Sequence, residues 1–104
     1  SRGLGDVYKR QVLIGINAAV PGRSLKLTSI EYTGNNQVNI KGISANDSNI
    51  LGFIDNLSII DVVDKASLST MSVETVSSQD VKAFVVKVIL IEQETIDSRA
   101  KGEN

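Results

Sequence analysis

Residues 83–91 read Ala-Phe-Val-Val-Lys-Val-Ile-Leu-Ile, apolar at every position except Lys87. Such a run, β-branched at five of its positions, can be little other than a strand, and one with apolar side chains on both faces. Side chains alternate along a strand, so in a sheet covered by helices on one side only, Phe84, Val86, Val88 and Leu90 face the helices. Val85, Ile89 and Ile91 then emerge on the other side, beside Lys87. Burying a Val or Ile side chain is worth about 1.5–3 kcal/mol, so leaving three in water forgoes several kcal/mol and invites aggregation. A partner surface would cover them, which makes Val85, Lys87, Ile89 and Ile91 the candidate interface.

The other elements follow from periodicity and punctuation. Leu13, Ile14, Ile16 and Val20 fit the buried stripe of the last turns of a helix that Pro21-Gly22 ends. Leu25, Leu27, Ile30 and Tyr32 lie in a β-rich run to about Thr33, and Gly34-Asn35-Asn36 suits a tight turn with positive φ. Val38 and Ile40 then alternate with Asn39 and Lys41 in the returning arm of a hairpin, residues 37–45. Asn46-Asp47-Ser48 offers N-caps to a helix carrying Ile50, Leu51, Ile54 and Leu57 at helical spacing, with Phe53 beside them. Gly52 inside that helix costs about 1 kcal/mol against Ala, which close packing against the sheet would justify. This helix fades near Ser58; a strand over residues 65–75, a polar turn over 76–80 and the strand of residues 83–91 complete the order. Helix, strand, strand, used twice, predicts an α+β domain of ferredoxin-like layering with permuted ends: a four-stranded antiparallel sheet with two helices on one face.

The 104 residues suit one domain, and 41% hydrophobic content with two Phe and no Trp requires an aliphatic core. Residues 1–11 stand apart. They show no apolar periodicity, and Asp6-Val7-Tyr8-Lys9-Arg10-Gln11 resembles the translation of a transposon-end sequencing adapter. The expectation is a foreign, disordered leader over 1–11, a domain over 12–92 and a mobile charged tail over 93–104, with the genuine chain beginning upstream of Val12. Without residues 1–11 the net charge moves from −1 to −3, against polyanion binding, and no basic cluster interleaves with aromatics, so nucleic acid is not an expected partner.

The chemistry open to the chain is narrow. It has no Cys and no His, which removes disulfides, thiolate metal sites and the usual proton shuttle, so no metal and no cofactor is expected. Asp61 with Asp64, Asp55 near Asp61, and Glu92 with Glu94 read as solvated carboxylates. Ser67, Ser69 and Ser72 have only Lys65 near them in sequence and read as the wet face of a strand; no catalytic residue is expected. Glycines occur singly outside any phosphate-cradling motif. The two N-x-[ST] matches, at Asn46 and Asn56, fall where a helix is capped or ends.

The stretch from Val20 to Leu90 resembles the periplasmic domain of PilN-type type IV pilus assembly proteins, related to the C-terminal domain of GspL in type II secretion. The likeness is carried by Val20-Pro21-Gly22 leading to Leu27-Thr28-Ser29-Ile30-Glu31, and by Val38-Asn39-Ile40-Lys41-Gly42-Ile43-Ser44-Ala45. Ile50 with Phe53-Ile54-Asp55-Asn56-Leu57, and Phe84-Val85-Val86-Lys87-Val88, complete it. The resemblance implies a structural, non-enzymatic role in which an inner-membrane-anchored protein pairs its periplasmic domain with a PilO-like partner or with itself. PilM-like actin-fold and PilP-like lipoprotein partners would act through the full-length protein, and the membrane would be met only through an anchor upstream. Two other readings share the layering. A small-molecule sensor of the ACT type would bind at paired sheets, and an acylphosphatase-like enzyme would need an anion-cradling loop with a basic residue, which the sequence lacks.

Overall fold

Two hairpins and two helices alternate along the chain as the sequence requires. The computed structural model describes residues 6–92. Its elements are α1 (Asp6–Ala19), β1 (Leu25–Gly34), β2 (Gln37–Ser44), α2 (Asp47–Ser58), β3 (Val63–Val76) and β4 (Gln79–Leu90). The strands form one antiparallel sheet in the order β1-β2-β4-β3, so the second strand of each αββ unit lies in the middle. This is the expected ferredoxin-like α+β arrangement.

Alternation along β2 and β4 builds the core. Val38, Ile40, Phe84, Val86, Val88 and Leu90 are buried on one face and meet Ile16 of α1 and Ile50, Phe53 and Leu57 of α2 in one apolar cluster. The rings of Phe53 and Phe84 pack edge to face with centroids 6.1 Å apart. Gly42 makes room for the second ring. A Cβ there would lie 2.6 Å from Phe84 Cζ and 2.5 Å from the Lys26 carbonyl, so any larger residue would force backbone or ring aside.

Both hairpins close on two-residue turns with left-handed backbone. Asn35 and Asn36 (φ 56° and 61°) join β1 to β2, and Ser77 and Ser78 (φ 51° and 67°) join β3 to β4. The second turn is tighter than the sequence suggested. Val76, Gln79 and Asp80, expected in the loop, pair instead as strand, because nothing between Lys65 and the two serines interrupts β-conformation. At the other end β4 stops at Leu90, one residue short of the expected Ile91.

The structure corrects the reading of the N-terminus. α1 begins at Asp6, inside the segment expected to be disordered, and Tyr8 is only 4% exposed. The physical reason is a four-residue rhythm, Tyr8, Val12, Ile16, with Ala19 one turn later, which continues the buried stripe back into that segment. The same rhythm turns Leu13 and Ile14 outward, against the expectation that they belong to the stripe. Tyr8 Oη donates a hydrogen bond of 2.6 Å to the Ile91 carbonyl and so ties the start of α1 to the end of β4. Residues 1–5 and the tail expected over 93–104 lie outside the described residues.

α2 is capped by Asn46, whose side chain accepts a 2.9 Å hydrogen bond from the Asn49 N–H. Asn56 Nδ2 donates to the Ala19 carbonyl at 2.9 Å, holding α2 against the end of α1. Gly52 does not pack on the sheet as expected: its open side faces Pro21, which a Cβ would meet at 3.9 Å, an ordinary contact. Leu51 points to solvent, and Phe53 takes the buried position instead.

Candidate interaction surface

Every residue pair across the strands shares a face, so the side of the sheet away from the helices can be read from the register. It carries Lys26, Ser29 and Glu31 from β1, and Gln37, Asn39, Lys41 and Ile43 from β2. β4 adds Val81, Ala83, Val85, Lys87 and Ile89, and β3 adds Lys65, Ser67, Thr70, Ser72, Glu74 and Val76. Four lysines, one per strand, stand on this face against two glutamates.

Three of the four residues expected to form an interface lie together here: Val85, Lys87 and Ile89 project from β4 in a single row. Lys87 is exposed, whereas Val85 and Ile89 are half-buried. Their cross-strand neighbours explain the difference. Val85 lies between Lys41 and Thr70, and Ile89 between Gln37 and Lys65, so long polar side chains cover part of each. Ile91 is not in the row. It follows the end of β4, where its N–H donates to the Val62 carbonyl at 3.0 Å and its own carbonyl accepts from Tyr8.

The two edges of the sheet differ. Along β1 runs a shallow groove lined by Lys9, Val12, Leu13, Ile30, Tyr32 and Val38, in which α1 screens the strand. Burial of Tyr8 in this part of the molecule, and to a lesser degree the neighbouring Tyr32 phenol, holds the Tyr8 hydroxyl above its ordinary ionisation range. Among the described residues β3 has no such cover. From Leu68 through Val76 all its residues are exposed, including Leu68, Met71 and Val73, which share the helix-side face with Phe84 and Lys82. Sequence reasoning missed this because a strand's length alone does not say whether helices reach its end. β2 pairs with β4 only as far as Lys82, so beyond that point β3 and β4 continue as a two-stranded arm. Lys82 marks the limit, its Nζ 2.6 Å from the Asp47 carboxylate at the start of α2.

The sites weighed as chemistry remain apart. Asp55, Asp61 and Asp64 are exposed, and no group of three or more metal-ligating side chains gathers among the described residues. Ser67 and Ser72 point to the outer face while Ser69 sits in the bulge between Leu68 and Thr70. Asn46 and Asn56 have the capping and tethering contacts described above. No described helix is long and apolar enough to cross a membrane.

Comparison with known proteins places this geometry. The sequence matches the family described as fimbrial assembly protein (PilN) over residues 11–90. No curated protein matches the chain. Among solved structures it is similar to the type 4 fimbrial biogenesis protein PilO from Pseudomonas aeruginosa, at 12% identity and a TM-score of 0.46, over 84% of this chain and 70% of that one. With more than three quarters of its length inside the family match, the chain belongs to the PilN family of fimbrial assembly proteins.

Proposed function

We propose that this domain is a non-enzymatic scaffold of a type IV pilus, or type II secretion, assembly platform, acting by dimerisation with a PilO-like protein or with a second copy. The observation that carries the reading is the outer face of the sheet within a family-matched domain. Among the described residues no helix lies over it, and at its centre it presents the row Val85, Lys87, Ile89, a strip of two half-buried aliphatic side chains about one exposed lysine, with a polar rim of the kind that protein partners cover. The domain would sit in the periplasm, joined to the inner membrane through a segment outside this sequence, with PilM-like and PilP-like partners engaged by the full-length protein.

The test is co-purification of the full-length protein with its PilO-type partner. Val85→Asp combined with Ile89→Asp places two charges in the strip and should abolish capture while leaving the far-ultraviolet circular dichroism unchanged. Undiminished capture by the folded double variant would remove this face from the proposal.

A further inference from the structure

Between Lys65 and Glu74, β3 presents eight consecutive uncharged residues, Ala66-Ser67-Leu68-Ser69-Thr70-Met71-Ser72-Val73, and among the described residues it pairs on one side only, with β4. An edge of this length, free of proline and charge, is a template for another strand, because alternate N–H and C=O groups point outward unpaired. The opposite edge is unlike it: β1 carries Lys26 and Glu31 only five positions apart and lies beside α1.

The bulge in β3 decides what fits the edge. In a regular strand residues 65 and 74 would point to opposite faces, being nine positions apart. The register shift between Leu68 and Thr70 removes one step, so Lys65, opposite Ile89, and Glu74, opposite Val81, stand on the same outer face. For the same reason Ala66, Leu68, Met71 and Val73 all stand on the helix side.

We infer that β3 pairs antiparallel with β3 of a second copy, about a two-fold axis passing between Ser69 and Thr70. In that register Lys65 lies opposite Glu74 of the second copy, Ala66 opposite Val73, Ser67 opposite Ser72 and Leu68 opposite Met71. Each pair matches in face and in chemistry: charge with opposite charge, hydroxyl with hydroxyl, apolar with apolar. An antiparallel two-fold repeats every contact, so the exposed Leu68, Met71 and Val73 of both copies form one apolar strip under a continuous eight-stranded sheet. A shift of one residue sets outward side chains against inward ones, and a shift of two parts Lys65 from Glu74. The outer row of Val85, Lys87 and Ile89 stays open in this dimer. The inference rests on the dimerising reading above and names the surface for one of its two forms.

The experiment is sedimentation equilibrium of the chain with charge variants. The chain should dimerise, and Lys65→Glu or Glu74→Lys alone should each raise Kd by about tenfold, because two cross-strand attractions become repulsions. The double variant Lys65→Glu/Glu74→Lys should return Kd to the starting value. Register is checked by cysteine: equimolar Ser67→Cys and Ser72→Cys chains should form a disulfide-linked dimer on oxidation, and neither should do so alone. A chain that stays monomeric at every soluble concentration overturns the pairing, as does a dimer indifferent to both single charge changes or not restored by the double one. These results separate from failure of the scaffold reading. Capture of a PilO-type partner by a monomeric chain overturns the β3 dimer alone, whereas a β3 dimer that captures none upholds the pairing and removes the heteromeric form.

Discussion

The two hairpins are the same unit built twice, yet one is covered by its helix and the other outruns it. In the first, the inward side chains Leu25, Leu27, Ile30 and Tyr32 of β1 are buried or half-buried through most of its length. In the second, β3 loses cover after Ser67, and everything from Leu68 to Asp80 is exposed. Strand length accounts for the difference: β1 and β2 have 10 and 8 residues, β3 and β4 have 14 and 12. At about 3.4 Å per residue, the extra four carry the second hairpin roughly 14 Å further, past the start of α2. The lesson is that an αββ unit repeats its topology without repeating its burial, and the part without burial is where association is to be sought.

The comparison breaks most readily at the centre. Phe84→Ala removes a ring shared by α2 and by Gly42 of the first hairpin and should cost about 3–5 kcal/mol. Because β4 lies between β2 and β3, urea denaturation should still show one transition; two would mean the hairpins fold independently. Next in size, Tyr8→Phe should cost about 1 kcal/mol through the lost hydrogen bond to Ile91. Tyr8 ionises later in the folded chain than in the unfolded one, where the phenol titrates at about 10. Its contribution is therefore complete below that pH and is lost as pH rises through the raised folded value, so the melting temperatures of the two proteins should converge in strong alkali. Asn46→Ala should cost about 1 kcal/mol, the usual loss of an N-cap, in thermal denaturation.

Smaller effects sharpen the contrast. Gly52→Ala should raise stability by about 0.5–1 kcal/mol, since the new methyl meets Pro21 at ordinary contact distance. Met71→Ala should change the stability of the monomer by less than about 0.5 kcal/mol, as befits an exposed position. A large loss at Met71 would show that the arm is covered after all.

Much of this fold was legible because its signals are local and mutually consistent. The alternation Val38, Ile40 and the run Phe84 to Leu90 placed both central strands, and Asn35-Asn36 placed the first turn, since those residue types tolerate left-handed backbone. The second turn was harder to see because Ser77 and Ser78 adopt the same conformation without the usual Asn or Gly signal. On α1, Leu13 and Ile14 looked buried only because the stripe was started too late. Reading Tyr8 with Val12 and Ile16 fixes the register and sends both outward. The outer row on β4 was visible from period two alone, except that Ile91 lies past the strand's last residue. The open edge of β3 was not visible, because which strand ends up at an edge depends on the pairing of β2 with β4, a contact between residues as distant as Ile40 and Val86.

That central pairing has a consequence for synthesis. β2 is complete once residue 44 is made, but its neighbour β4 begins only at Gln79. As the chain leaves the ribosome, the first αββ unit therefore holds an apolar strand with one side unpaired for the time needed to add some four dozen residues. The middle of the sheet is the last part to be finished, and Lys41, the single charge on β2, is what guards it until then.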